Sequence, residues 1–125
     1  MTKKPISVLI VDDNDIFVDR MIGLIDELSN VSSIQTAANY DDAFIMLNSY
    51  NHDLVLLDIN LPGKSGINLL KKIKEQRRSC NVIMVSNLSQ SFYREECKRL
   101  GAANFLDKTS EFEKVSVLIA NYNAN

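Results

Sequence analysis

The most constraining feature of the sequence is a run of four apolar residues, 54–57, that leads directly into a single acid, Asp58. A short unbroken apolar run of this kind is typical of a strand buried on both faces of a sheet. Pro62, Gly63 and Gly66 then interrupt the strand pattern and precede a helix pattern. We therefore expect Asp58 to lie at the carboxyl end of a buried strand, where a loop begins. A lone acid in a loop is often structural, so its role depends on its neighbours.

Five apolar segments with strand character alternate along the chain with five segments of helical spacing. The predicted strands are 6–11, 33–38, 54–57, 81–85 and 103–106, and the predicted helices begin near residues 15, 41, 66, 90 and 112. Segment 33–38 is the least apolar, which favours a position at a sheet edge. Strands separated by helices of this length are joined by right-handed crossovers. The sequence therefore predicts an α/β fold with one doubly wound, five-stranded parallel sheet.

Composition limits both the size of the protein and its partners. The 125 residues, 46% of them hydrophobic, suffice for a single domain that spans residues 1–125. The net charge is -2 and both signs are scattered, so no basic stripe suggests a nucleic acid or an acidic membrane as partner. The apolar stretch near the amino terminus is too short for a signal sequence or a membrane span. We expect a soluble, cytoplasmic protein that binds neither nucleic acid nor membrane.

The residues that commonly bind zinc are not arranged for that purpose. Cys80 and Cys97 are the only cysteines, and neither forms a C-x-x-C pair or stands near His52, the only histidine, with metal-ligand spacing. We expect both cysteines to be reduced thiols, in the core or at the surface.

Polar residues follow four of the predicted strands at the point where each strand ends. These residues are Asp12 and Asp13, Asp58, Ser86, and Lys108, which follows Asp107. The carboxyl ends of parallel strands open on one edge of the sheet, and ligands bind there. We therefore expect side chains that are far apart in sequence to meet at this edge.

The side chains expected at that edge offer mainly carboxylate oxygens, and these limit the metal ions and the reactions that the edge can support. Three carboxylates repel one another without a cation, and a site with no thiolate or imidazole favours Mg²⁺ over zinc or copper. A metal ion and Lys108 facing an aspartate suit an incoming phosphoryl group that the carboxylate attacks, with Ser86 donating its hydroxyl to a phosphoryl oxygen. Taken singly, each residue also has an ordinary role as a helix cap, turn hydroxyl or surface lysine. A calcium loop is excluded for both acidic stretches. In the first, Phe17 stands at the central glycine position; in the second, Pro62 fills a ligand position and Leu69 stands at the closing glutamate position.

Together these motifs resemble the receiver domain of bacterial two-component response regulators, and the likeness covers essentially the whole chain. The resemblance rests on the acid pair after the first strand, on Asp58 with the following Leu-Pro-Gly and Gly66, and on Ser86 and Lys108. It implies the flavodoxin-like strand order 2-1-3-4-5 of the chemotaxis receiver.

The resemblance also implies how the acids act. Asp58 would be the phosphoacceptor, taking its phosphoryl group from a sensor histidine kinase or a histidine phosphotransfer protein. Asp13 and Asp58 would bind Mg²⁺ directly, together with the backbone carbonyl of Asn60, while Asp12 would bind it through water. The protein would assist its own phosphorylation and dephosphorylation, and would not turn over a separate substrate.

Two further groups of residues take their roles from the resemblance. Ser86 and Lys108 would hold the phosphoryl oxygens. Phe105 matches the switch aromatic of the family, whose ring turns inward as the hydroxyl of Ser86 moves toward the phosphate. From sequence alone Phe105 is also compatible with ordinary packing on the last strand.

Three positions are expected to modulate the reaction rate, namely Asn60, Asn87 and Leu88. At position 87 the family usually has Ala or Gly, so the larger Asn87 is expected to crowd the site and slow transfer or hydrolysis. After the lysine the family usually has a cis proline, but this chain has Thr109. A cis bond before a residue other than proline costs about 3 kcal/mol. The Lys108–Thr109 bond is therefore either trans with a reshaped loop or cis with strain.

The output of such a switch is expected to be another protein. Residues 121–125 form a short polar tail where many relatives continue into an output domain, which favours a stand-alone receiver. Its downstream effector is expected to bind residues 90–122, with Phe92, Tyr93 and Phe105 as candidate contacts, and a homodimer through the same face is possible.

Two alternative functions remain open at this point. One is a phosphatase with an aspartyl-phosphate intermediate, although Asn60 stands where such enzymes have their second acid and no inserted cap is evident. The other is a binding module that has kept the fold but acts without phosphorylation, for which the departures at Asn87 and Thr109 are the reason.

Overall fold

A computed structural model describes residues 4–76 and 79–122 and contains one five-stranded parallel sheet. The strands are β1 (Ile6–Val11), β2 (Val31–Ala37), β3 (Leu54–Leu57), β4 (Asn81–Ser86) and β5 (Asn104–Asp107). Their spatial order is β2-β1-β3-β4-β5, and every neighbouring pair is parallel. The predicted α/β class and the order 2-1-3-4-5 are confirmed. Residues 123–125 of the predicted polar tail and residues 1–3 at the amino terminus lie outside the described residues.

Five helices connect or follow the strands, as the helical spacing predicted. They are α1 (Asp15–Ile25), α2 (Tyr40–Ser49), α3 (Gly66–Gln76), α4 (Ser91–Arg99) and α5 (Lys114–Ala120). Asn14 caps α1, since its side chain accepts a hydrogen bond from the backbone N–H of Phe17 at 3.0 Å. The last helix begins two residues later than its apolar spacing predicted, at Lys114 and not near residue 112.

The helices cover the sheet on both faces and form two hydrophobic cores. Buried side chains of α2, α3 and α4 pack on one face, and those of α1 and α5 pack on the other. All four residues of β3 are at most 1% exposed, as the unbroken apolar run predicted. Burying each such side chain contributes about 1.5–3 kcal/mol. The half-exposed β2 lies at a sheet edge, also as predicted.

Cys80 and Cys97 are buried thiols of the core that contains α2, α3 and α4, and neither forms a disulfide within the part of the chain that the structure describes. Burial raises the pKa of the Cys97 thiol to about 11, so this thiol stays protonated at neutral pH. Both cysteines therefore serve as small core residues. Among the described residues, no helix has the length and apolar character needed to cross a bilayer.

Candidate functional site

The register of the central strands places two of the predicted acids side by side. Val11 at the end of β1 is opposite Leu57 at the end of β3, and one residue further lie Asp12 and Asp58. The ladder continues through this position, because the N–H of Asp58 donates to the carbonyl oxygen of Val11 at 3.1 Å. The two acids are thus fixed at the carboxyl edge of the sheet by the same hydrogen bonds that hold the strands.

Asp12, Asp13 and Asp58 form an acidic cluster at this edge. Each offers one carboxylate oxygen, and these oxygens lie within 4.8 Å of one another. Asp12 and Asp58 are 3% and 5% exposed, whereas Asp13 faces solvent. Carboxylates this close repel one another unless a cation compensates them. A set of oxygen donors open to water on one side suits Mg²⁺, which keeps several of its own waters, so the acidic cluster fits the predicted ion.

Lys108 brings an ammonium group into the acidic cluster from the end of β5. Its Nζ lies 2.8 Å from Oδ2 of Asp12 and 3.3 Å from Oδ2 of Asp58. It also lies 4.6 Å from the ring centroid of Phe17, a favourable contact of a cation with an aromatic face. Three acids against one ammonium leave two negative charges uncompensated among these four groups, which again matches a divalent cation.

The surroundings of Lys108 and Asp12 raise the pKa of both side chains. Burial by itself lowers the pKa of the Lys108 ammonium, but the interactions with Asp12 and Asp58 together outweigh it, so the pKa is raised. Burial raises the pKa of the Asp12 carboxyl, and this effect exceeds the opposing hydrogen bonds from Lys108 and the N–H of Asn14. A nearby cation favours an ionised carboxylate, so a metal ion bound at the acidic cluster would lower the raised pKa of Asp12.

Ser86 ends β4 at the same edge and is fully buried. Its carbonyl oxygen accepts a hydrogen bond from the N–H of Lys108 at 3.1 Å, which ties the ends of β4 and β5 together. Its hydroxyl oxygen accepts from the N–H of Leu88 at 3.2 Å, so the described contact of the hydroxyl is to its own loop. The structure thus brings Ser86 to the predicted edge with its hydroxyl held by the β4–α4 loop.

The segment after Asp58 folds tightly back on the end of β3. The N–H of Asn60 donates to Oδ1 of Asp58 at 3.3 Å, and the N–H of Gly66 donates to the carbonyl oxygen of Ile59 at 2.7 Å. A Cβ at Gly66 would lie 1.9 Å from the carbonyl oxygen of Asp58. The sequence showed Gly66 as a residue that interrupts the strand pattern and belongs to the family motif, and the structure adds a contact that leaves no room for a side chain.

Asn87 and Thr109, which differ from the residues usual in the family that the chain resembles, contact each other beside the site. The hydroxyl of Thr109 donates to Oδ1 of Asn87 at 3.0 Å, and both residues are exposed. The Lys108–Thr109 bond is trans, which decides between the two alternatives. The side-chain bond therefore joins the β4–α4 loop to the β5–α5 segment directly above the ends of β4 and β5.

The predicted switch aromatic and the other two candidate effector contacts lie on β5 and α4. Phe105 is half-buried on β5, opposite Met84 of β4. Phe92 on α4 is 70% exposed, whereas Tyr93 is partly buried against the core. The sequence pattern did not identify Phe17 as a neighbour of the site, because nothing in its spacing shows that its ring meets the Lys108 ammonium.

Comparisons with known proteins agree with this geometry. The response regulator receiver domain family matches residues 8–120. Transcriptional regulatory protein MalR of Bacillus subtilis is 34% identical over 122 residues, which are 94% of this chain and 50% of MalR. Fimbriae Z protein of Salmonella typhimurium is 32% identical over 123 residues, which are 95% of this chain and 59% of that protein. The chain thus spans about half the length of these curated relatives.

A solved structure extends the likeness to three dimensions. A chain in the crystal structure of the CheX-CheY-BeF3-Mg complex from Borrelia burgdorferi is 31% identical to this chain and superposes on it with a TM-score of 0.84. The match covers 96% of this chain and 92% of that chain. At this identity and coverage, the likeness extends to sequence as well as to fold.

Proposed function

The chain belongs to the response regulator receiver family, and from that premise we propose that Asp58 accepts a phosphoryl group from a phosphohistidine in a Mg²⁺-dependent reaction. One observation carries the proposal, namely that Asp58 lies beside two other acids and 3.3 Å from the Lys108 ammonium. A nucleophile, a metal site and a fixed positive charge are the parts that phosphoryl transfer requires.

Each acid has a separate part in this proposal. Asp13 and Asp58, with the backbone carbonyl of Asn60, would hold Mg²⁺ directly, and Asp12 would hold it through water. When bound, the ion neutralises charge that develops on the phosphoryl oxygens. An oxygen of Asp58 attacks phosphorus while the bond from phosphorus to the histidine nitrogen breaks, and the electron pair of that bond remains on the histidine.

Three more residues complete the switch. Lys108 binds a phosphoryl oxygen, and the hydroxyl of Ser86 leaves the N–H of Leu88 to donate to another. The ring of Phe105 then turns inward into the space near Ser86. The phosphoryl group therefore changes the surface formed by α4, β5 and α5.

The test of the proposal is the mass of the intact protein after treatment with acetyl phosphate or a phosphoramidate in Mg²⁺. We expect a stable increase of about 80 Da, one phosphoryl group, which is absent without Mg²⁺ and absent in Asp58→Asn. Asp53→Asn is the matched control, because Asp53 lies at the opposite end of β3, where its carboxylate accepts from the N–H of Ser7. This control should gain the full mass.

Other outcomes of that experiment identify the alternative functions. Steady release of phosphate from many substrates would indicate a phosphatase with an aspartyl-phosphate intermediate. A folded protein that gains no mass would indicate a binding module that acts without phosphorylation, the function that the departures at Asn87 and Thr109 favour.

Asn87 and Thr109 are proposed to slow the loss of the phosphoryl group, with Asn60 and Leu88 as further rate-modulating positions. The bond from Thr109 to Asn87 joins two loops beside Lys108, and we expect the joined side chains to hinder the entry of water. Because one hydrogen bond contributes about 0.5–1.5 kcal/mol, we expect Asn87→Ala and Thr109→Val each to speed hydrolysis about two- to ten-fold. The double variant should be no faster than the faster single variant. Purely additive effects in phosphate-release assays would contradict this coupling.

The partners follow from the same proposal. The phosphoryl donor is a sensor histidine kinase or a histidine phosphotransfer protein, and the effector is a protein that binds residues 90–122 of the phosphorylated form. Phe92 is the most exposed of the three aromatic residues proposed for that contact. The alternative is that a second copy of this chain binds the same face and forms a homodimer. We place the protein in the cytoplasm, as a domain spanning residues 1–125.

A further inference from the structure

Arg94 on α4 connects three separate segments beside the switch residues. Its Nε donates to the carbonyl oxygen of Ser89 at 2.8 Å, and its Nη1 donates to the carbonyl oxygen of Phe105 at 3.1 Å. Its Nη2 donates to Oε1 of Glu111 at 3.2 Å. One guanidinium group therefore binds the β4–α4 loop, β5 and the segment after β5, a geometry that its planar fork of donors permits and an ammonium does not.

The same guanidinium also contacts the ring of Phe105. Its central carbon lies 5.0 Å from the ring centroid, within the range of a favourable cation–π interaction. The side chain of Arg94 is 38% exposed, so part of the group is shielded from water. Arg94 thus fixes both the backbone and the side chain of the proposed switch aromatic.

A second set of contacts extends this connection to Asp107, the residue before Lys108. The hydroxyl of Ser89 donates to Oδ2 of Asp107 at 2.6 Å, and Oε1 of Glu111 accepts from the N–H of Asp107 at 2.9 Å. The N–H of Asp107 and the side chains of Lys114 and Arg94 lower the pKa of Glu111 to about 2, so this acid is ionised at neutral pH. Arg94 is therefore connected through Ser89 and Glu111 to Asp107, which directly precedes Lys108 in the chain.

In the proposed switch, the side chain of Ser86 turns toward a phosphoryl group on Asp58, and the β4–α4 loop rearranges with it. In the described structure, the hydroxyl of Ser86 accepts from the N–H of Leu88, and that bond has to break when the hydroxyl turns. The carbonyl oxygen of Ser89, one residue beyond Leu88, is bound by Arg94. Arg94 consequently stabilises the arrangement in which Ser86 is turned toward its own loop.

We propose that Arg94 is a positioning residue that holds the β4–α4 loop and Phe105 in the unphosphorylated arrangement and thereby weakens the affinity of the site for a phosphoryl group. This inference rests on the proposed function and adds a regulatory residue to it. A group that stabilises one of two states shifts their equilibrium by the difference in its interactions with the two.

The probe for this inference is beryllofluoride with Mg²⁺, since beryllofluoride has the shape and charge of a phosphoryl group and forms no permanent bond. We expect Arg94→Met to bind it about five-fold more tightly than the unchanged protein, as measured by fluorine NMR titration. Arg94→Lys should also bind more tightly, because it keeps the charge but not the three divergent donors. The affinity for Mg²⁺ alone should not change, since Arg94 does not contact the acidic cluster in any described interaction.

Arg99→Met provides a matched control on the same helix. Arg99 pairs with Glu96 one turn away, and its side chain is 66% exposed, so its loss should leave beryllofluoride binding unchanged. Equal or weaker binding by both Arg94 variants, with normal Mg²⁺ affinity, would overturn the role of Arg94 while leaving the proposed function intact. No beryllofluoride binding by the unchanged protein would overturn the proposed function, and this inference with it.

Discussion

Replacing Gly66 with alanine is expected to lower the free energy of unfolding by about 3 kcal/mol, at the upper end of the usual cost of overpacking. The added Cβ would lie 1.9 Å from the carbonyl oxygen of Asp58 and 2.9 Å from the Cα of Ile59. Both atoms belong to the backbone, so no side chain can rotate away to make room. Urea unfolding of the variant and of the unchanged protein measures the loss.

Gly23→Ala is the control for this prediction. Gly23 lies within α1, and a Cβ there would meet nothing within 4 Å. Because alanine favours a helix interior over glycine, the control should gain about 0.5–1 kcal/mol. A Gly66→Ala protein as stable as the unchanged protein would show that the segment after β3 can move away from Asp58, contrary to the tight turn described above.

Replacing Lys108 with methionine is expected to have opposite effects on phosphoryl transfer and on metal binding. Loss of a preorganised positive charge at a reacting centre typically slows reaction by about 100-fold, so mass gain from acetyl phosphate should slow by that order. Loss of the same charge leaves three acids with no ammonium, so the affinity for Mg²⁺ should rise, as measured by calorimetry. Methionine keeps most of the length and apolar contact of the lysine stem, including the approach to Phe17.

Lys114→Met separates a local effect from a change in net charge. Lys114 pairs with Glu111 at 3.1 Å on the surface, and its side chain is 67% exposed. The control should therefore keep the phosphorylation rate and Mg²⁺ affinity of the unchanged protein. If Lys108→Met were phosphorylated at the normal rate, its ammonium would have no part in the transfer, and the proposed mechanism would need another positive group.

The central strands were predictable because a strand buried on both faces needs a continuous apolar run. β1, β3 and β4 have such runs and agree with the prediction to within one residue at each end. β2 was less predictable: the prediction was 33–38, but the strand is Val31–Ala37. As an edge strand it is held by backbone hydrogen bonds to β1, and these leave little trace in the side-chain pattern.

The sequence predicted which residues would meet at the carboxyl edge of the sheet, but it did not predict the contacts between their side chains. Asp12 and Asp58 stand out because each follows an apolar run, and parallel strands bring such ends together. The 2.8 Å contact between Lys108 and Asp12 depends on how a long side chain crosses from the edge strand β5 toward β1, which the sequence pattern does not specify. The aromatic face of Phe17 beneath the ammonium and the absence of space at Gly66 likewise arise only from tertiary packing.

The order in which the chain is made has a consequence for the pairing of its charges. The ribosome releases Asp58 50 residues before Lys108, and the first two acids earlier still. Until β5 joins the sheet, the nascent domain has three acids at one edge and lacks the ammonium that later lies among them. A divalent ion from the surrounding solution can compensate them during that interval. We therefore expect a divalent ion to favour folding of the chain most strongly before the last strand has joined the sheet.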